Sequence, residues 1–78
     1  MEVIKSFTGR WYMSMLGPLD TVETISILRC DDRYIVLQVL DIRDSDSVSS
    51  TSTCTKNYQE ALEIWERLYK DLMVSMNC

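Results

Sequence analysis

Hydrophobic and polar positions alternate along the first segment of the chain. Val3, Phe7, Trp11, Met13 and Met15 share one parity, interrupted by Lys5 and Gly9, and Ser6, Thr8, Arg10, Tyr12 and Ser14 share the other. A period of two marks a half-buried strand, predicted over about 2–15. Gly9 inside it is a candidate bulge or bend. Gly17-Pro18-Leu19-Asp20 reads as a turn, because glycine supplies unusual φ values and proline fixes its own. Two β-branched runs follow, Thr21 to Cys30 and Arg33 to Ile42, around Asp31-Asp32. Apolar runs on either side of an Asp-rich turn predict a β-hairpin with strands at 21–30 and 33–42.

Ser47 to Thr55 breaks this pattern, because seven of its nine residues are Ser or Thr. Such a segment suits a flexible loop. It also suits a polar edge strand, since Thr tolerates β geometry and a polar edge discourages aggregation. The expectation is a loop that ends in a short edge strand at about 48–54. Beyond it, Tyr58, Ala61, Leu62, Trp65, Leu68, Tyr69, Leu72, Met73 and Met76 recur at helical spacing, opposite Gln59, Glu63, Glu66, Arg67 and Lys70. Asn57 with Glu60 has the spacing of a capping box, so the helix is predicted over about 58–76. Glu63 with Arg67 and Glu66 with Lys70 form i,i+4 pairs in the favourable order. The fold class is therefore α+β. A single domain, 1–78, holds a three- or four-stranded antiparallel β-meander with one C-terminal amphipathic helix packed on one face.

Seventy-eight residues, 46% hydrophobic and 26% charged, are ordinary for one small globular domain with a thin core. The net charge of −4 argues against direct nucleic-acid binding, which normally needs a basic patch. No basic stretch followed by an apolar run opens the chain, and no run approaches a membrane span of about 20 residues. With three dispersed cysteines, Cys30, Cys54 and Cys78, a reduced cytoplasmic protein without membrane contact is expected.

The chain contains no histidine, which removes the commonest general base and the usual Ser and Cys triads. It has no C-x-x-C spacing and no phosphate-binding glycine loop, so neither metal nor cofactor is expected. Asp41, Asp44 and Asp46 lack the spacing, the glycine and the distal Glu of an EF-hand loop. The expected role is thus non-enzymatic, with an unrecognised small enzyme as the lesser alternative.

One helix covers one sheet face. The helix side is expected to take Val3, Phe7, Trp11 and Met13, then Ile25 and Ile27, then Ile35, Leu37 and Val39. The other face then carries Arg10, Tyr12, Val22, Thr24, Ser26, Leu28, Tyr34, Val36, Gln38, Leu40 and Ile42. A sheet face in water alternates more cleanly than this. A partner surface is therefore expected around Arg10, Tyr12, Tyr34, Val36 and Gln38, unless the same chain covers it. Asp31, Asp32, Asp41, Asp44 and Asp46 are a second candidate, an acidic cluster at neighbouring ends of the hairpin that suits a basic groove.

A short acidic chain with a β-meander, a polar stretch and one terminal amphipathic helix resembles the small inhibitors of phages and mobile elements, anti-CRISPR proteins among them. The resemblance is one of architecture and covers most of the chain. It implies a stoichiometric inhibitor that binds a subunit of a nucleic-acid-guided bacterial defence complex, at a protein surface or on its nucleic-acid path. A homodimerising structural or regulatory module of antitoxin or immunity-protein type has the same outline.

Overall fold

The computed structural model describes residues 1–13, 19–42 and 47–77. Four strands, β1 (Glu2–Met13), β2 (Leu19–Cys30), β3 (Arg33–Ile42) and β4 (Ser47–Thr55), precede one helix, α1 (Tyr58–Met76). The strands form one antiparallel sheet in the order β1-β2-β3-β4, the β-meander plus helix that the sequence pattern predicts. Met15, Gly17 and Pro18 lie outside the described residues. Leu19 and Asp20 belong to β2 instead of a turn, because they pair with Met13 and Tyr12.

The hairpin turn falls at Asp31-Asp32, with Cys30 opposite Arg33. Asp31 has a φ of 56°, in the left-handed region. Two-residue hairpin turns need positive φ, and Asp tolerates it better than most side chains. The Ser/Thr segment is a strand over its whole length, from Ser47 opposite Ile42 to Thr55 opposite Tyr34. A loop would have left the backbone of β3 unpaired on that side, and pairing outweighs the weak local preference of Ser.

Asn57 caps α1 as its position suggests, its side-chain oxygen accepting from the Gln59 N–H at 2.8 Å. The reciprocal half of the box differs, since the Asn57 N–H donates to Thr55 Oγ1 at 3.2 Å. The last residue of β4 thus takes the role that the capping box gives to Glu60.

The helix lies across the odd-numbered face of β1 and β2. Trp65 Nε1 donates to the Ile25 carbonyl at 3.0 Å. The Phe7 and Tyr69 rings meet edge to face at 4.9 Å, and Trp65 stacks on Tyr69 at 5.2 Å. Ile25, Ile27, Val36, Ala61, Trp65 and Leu72 form the buried core.

Directly opposed residues of antiparallel strands share a face. Ile27 opposes Val36 and Ile25 opposes Gln38, so the helix side of β3 is Tyr34, Val36, Gln38, Leu40 and Ile42. This reverses the expected placement of β3, whose Ile35, Leu37 and Val39 lie on the helix-free face. Val3 is reversed too. A register shift between Val3 and Lys5 puts Val3 opposite Leu28, on the helix-free face, and leaves it 62% exposed.

The irregularity of β1 lies there and not at Gly9, which pairs regularly with Glu23. Gly9 is needed for a different reason. A Cβ at that position would fall 2.6 Å from Met76 Sδ and 3.2 Å from a Leu72 methyl carbon. Met76 can swing aside, but Leu72 is fully buried. Gly9→Val should therefore destabilise the chain by about 1–3 kcal/mol through overpacking, despite valine's better strand propensity. Urea unfolding measures this, and unchanged stability would mean that α1 does not pass so close to β1.

Candidate binding surfaces

Three surfaces qualify as functional candidates: the helix-free sheet face, a groove beside β1, and the sheet edges. The register and the packing of α1 set all three.

The helix-free face divides by chemistry. At the middle of β1 and β2 it is lined by hydroxyls, with Ser6 and Ser26 hydrogen-bonded at 3.0 Å and Thr8 and Thr24 at 3.1 Å. On β3 it is aliphatic. Ile35, Leu37 and Val39 are all partly exposed, with Leu28 beside Ile35. Tyr12 and Val48, at 62% and 69% exposure, stand on opposite flanks. No described element packs over this face, because α1 lies on the other.

The expected partner residues separate in this geometry. Arg10 and Tyr12 lie on the helix-free face, as their parity predicts. Arg10 is held in an ion pair with Asp20 at 3.2 Å. Tyr34, Val36 and Gln38 lie under the helix and are not part of that face. Val36 is 2% exposed, and Tyr34 packs against the Tyr58 ring at 5.4 Å.

The acidic residues do not form one cluster either. Asp31 and Asp32 occupy the β2–β3 turn, and Asp32 approaches Arg33 at 3.9 Å. Asp41 pairs with Val22 near the far end of β3. Eight residue steps separate Arg33 from Asp41, or about 26 Å at ~3.3 Å per step. Asp44 and Asp46 lie outside the described residues. The two turns of a meander strand fall at opposite ends, so the expected acidic concentration between Asp31–Asp32 and Asp41 does not arise.

A groove of about 570 Å³ runs between β1 and α1, lined by Lys5, Phe7, Trp65, Glu66, Tyr69 and Lys70. Lys5 Nζ sits 4.6 Å from the centre of a Trp65 ring, a cation–π contact. The groove is wide open, and its aromatic walls belong to the packing that holds the helix down.

Glu23 is the polar group that the sequence reading missed. It is 6% exposed on the helix side of β2. Its Oε1 accepts from Trp11 Nε1 at 3.1 Å and its Oε2 from Gln38 Nε2 at 3.0 Å. Both oxygens are committed, so the carboxylate joins β1 to β3 through β2. A charged residue at the buried parity of a β-branched strand was the available signal. The described residues bring no three of Cys, Asp and Glu together as a metal-binding group, and no described helix is long and apolar enough to cross a membrane. Cys30 and Cys54 are free thiols, Cys54 exposed.

No family model, curated protein or solved structure matches the chain.

Two substitution pairs test these placements by urea unfolding. Val36→Glu should cost at least about 3 kcal/mol, as an unpaired buried carboxylate does, and Leu37→Glu next to it no more than about 1 kcal/mol. The reverse order would reinstate the opposite face assignment of β3. Glu23→Leu leaves the Trp11 and Gln38 donors without an acceptor and should cost about 1–3 kcal/mol. Glu23→Gln keeps an oxygen for Trp11 and should cost less. Equal costs would mean that the hydrogen bonds of Glu23 contribute nothing.

Proposed function

We propose that this chain is a non-enzymatic binding protein that docks a protein partner on the helix-free face of its sheet. The observation that carries the proposal is the strip of Ile35, Leu37 and Val39 at the middle of that face, partly exposed and flanked by Tyr12 and Val48. An apolar strip with a polar rim is the usual form of a protein contact surface. Here the rim is made of hydroxyls: Ser26 and Thr24 on one side, Ser50 and Ser52 on the other. The net charge of −4 favours a basic partner and disfavours nucleic acid.

The sharpest form of the proposal is an anti-CRISPR-like inhibitor that blocks a nucleic-acid-guided bacterial defence complex by occupying a protein or nucleic-acid-binding surface. Its support is the resemblance in size, acidity and meander-plus-helix outline. The alternative, a homodimerising regulatory module, draws on a different feature, the uncharged edge of β4.

Affinity capture from bacterial lysate at physiological salt tests the proposal, using the wild-type chain and Leu37→Glu. A stoichiometric partner that is retained by the wild type and lost by a folded Leu37→Glu chain is the expected result. A partner retained equally by both would contradict docking on this face. Mass spectrometry that identifies the partner as something other than a defence-complex subunit would retire the inhibitor form.

A further inference from the structure

The two edges of the sheet are built differently. β1 carries Glu2, Lys5 and Arg10, and its register shifts between Val3 and Lys5. Charges and bulges are the usual guards of an open edge. β4, the other edge, has neither. Ser47 to Thr55 contains no charge, proline or glycine, and it pairs with β3 through all nine residues without a register shift. Every second residue of such a strand turns its N–H and C=O away from β3. No described strand meets them.

The sequence of β4 is also self-complementary when run antiparallel to itself. With Thr51 opposite Thr51, Ser50 meets Ser52, Ser49 meets Thr53 and Ser47 meets Thr55. The remaining pair is Val48 with Cys54, the two non-hydroxyl residues of the strand. Hydroxyl residues thus face hydroxyl residues, and the most exposed aliphatic side chain of the edge faces an exposed thiol. Ser/Thr cross-strand pairs stabilise antiparallel ladders. A twofold contact requires this kind of self-matching, because each copy offers the same patch.

We propose that β4 is a self-association edge, where a second copy of this chain pairs antiparallel about a twofold axis at Thr51 and joins two four-stranded sheets into one of eight strands. The contact is independent of docking on the helix-free face. It adds the Val48–Cys54 pairs to that face without covering Ile35, Leu37 or Val39. Val36 takes no part in it, since Val36 is buried under the helix.

Sedimentation velocity of the purified full chain over a concentration series tests the proposal together with two variants. The wild type should shift from monomer to dimer as concentration rises. Thr51→Lys places like charges on the axis of the paired copies, so it should remain monomeric across the same range, with the wild-type circular dichroism spectrum. Thr51→Cys, in a Cys30→Ser/Cys54→Ser/Cys78→Ser background, should form a disulfide-linked dimer under mild oxidation, because directly opposed residues lie within disulfide reach. Thr8→Cys on β1 in the same background should not.

A wild-type chain that stays monomeric throughout would overturn the proposal. So would a dimer that Thr51→Lys leaves intact, or equal cross-linking at Thr51→Cys and Thr8→Cys. A monomeric chain whose capture of a different protein is abolished by Thr51→Lys would assign the edge to that protein and not to a second copy. Leu37→Glu should dimerise like the wild type, which keeps failure of the edge contact distinct from failure of docking on the face.

Discussion

The position of Trp65 on β2 decides what the rest of this molecule presents to its surroundings. A four-stranded meander has two faces and one helix to cover them. The indole ring is 5% exposed, stacks on Tyr69, lies beneath the Lys5 ammonium and donates to the Ile25 carbonyl. A buried indole N–H needs an acceptor, and a strand carbonyl provides one only where the helix approaches closely. Gly9 allows that approach farther along, where Leu72 and Met76 cross β1. Once the odd face of β2 is chosen, the register hands the helix Val36 and Gln38 and leaves Ile35, Leu37 and Val39 outside.

Much of this architecture is legible in the residues, and the failures have identifiable causes. The helix, its Asn57 cap and the Asp31–Asp32 turn follow from period and capping chemistry. The facing of β3 does not follow from period, because Tyr34 to Leu40 is apolar at every position except Gln38. The missing signal was the turn itself. A two-residue loop between Cys30 and Arg33 forces odd positions of β2 to oppose even positions of β3, which puts Val36 against Ile27. Val3 misled for the same reason in miniature, since one shifted residue reverses a strand end.

The candidate site was legible only in part. That one sheet face would lie away from the helix follows from counting helices, but its composition required the register. Arg10 and Tyr12 stayed on that face, while Tyr34, Val36 and Gln38 moved to the core side. Glu23 shares the parity of Ile25 and Ile27, but its partners Trp11 and Gln38 lie on the two neighbouring strands, so only the register shows how a carboxylate is satisfied in the interior. The Ser/Thr run suits both a loop and a short edge strand at about 48–54, and pairing with β3 makes all of Ser47–Thr55 an edge strand. A nine-residue uncharged edge is uncommon in a chain that guards its other edge with charge and a bulge.

Which sheet face the helix covers decides where a partner can dock. Nuclear Overhauser contacts of the Trp65 indole ring in the isolated chain measure this directly. The indole Nε1 proton should show contacts to protons of Ile25 and its neighbours on the odd face of β2, and none to the methyl groups of Ile35, Leu37 or Val39. Contacts from Trp65 to Leu37 or Val39 would place the helix on the opposite face and remove the proposed docking surface with it.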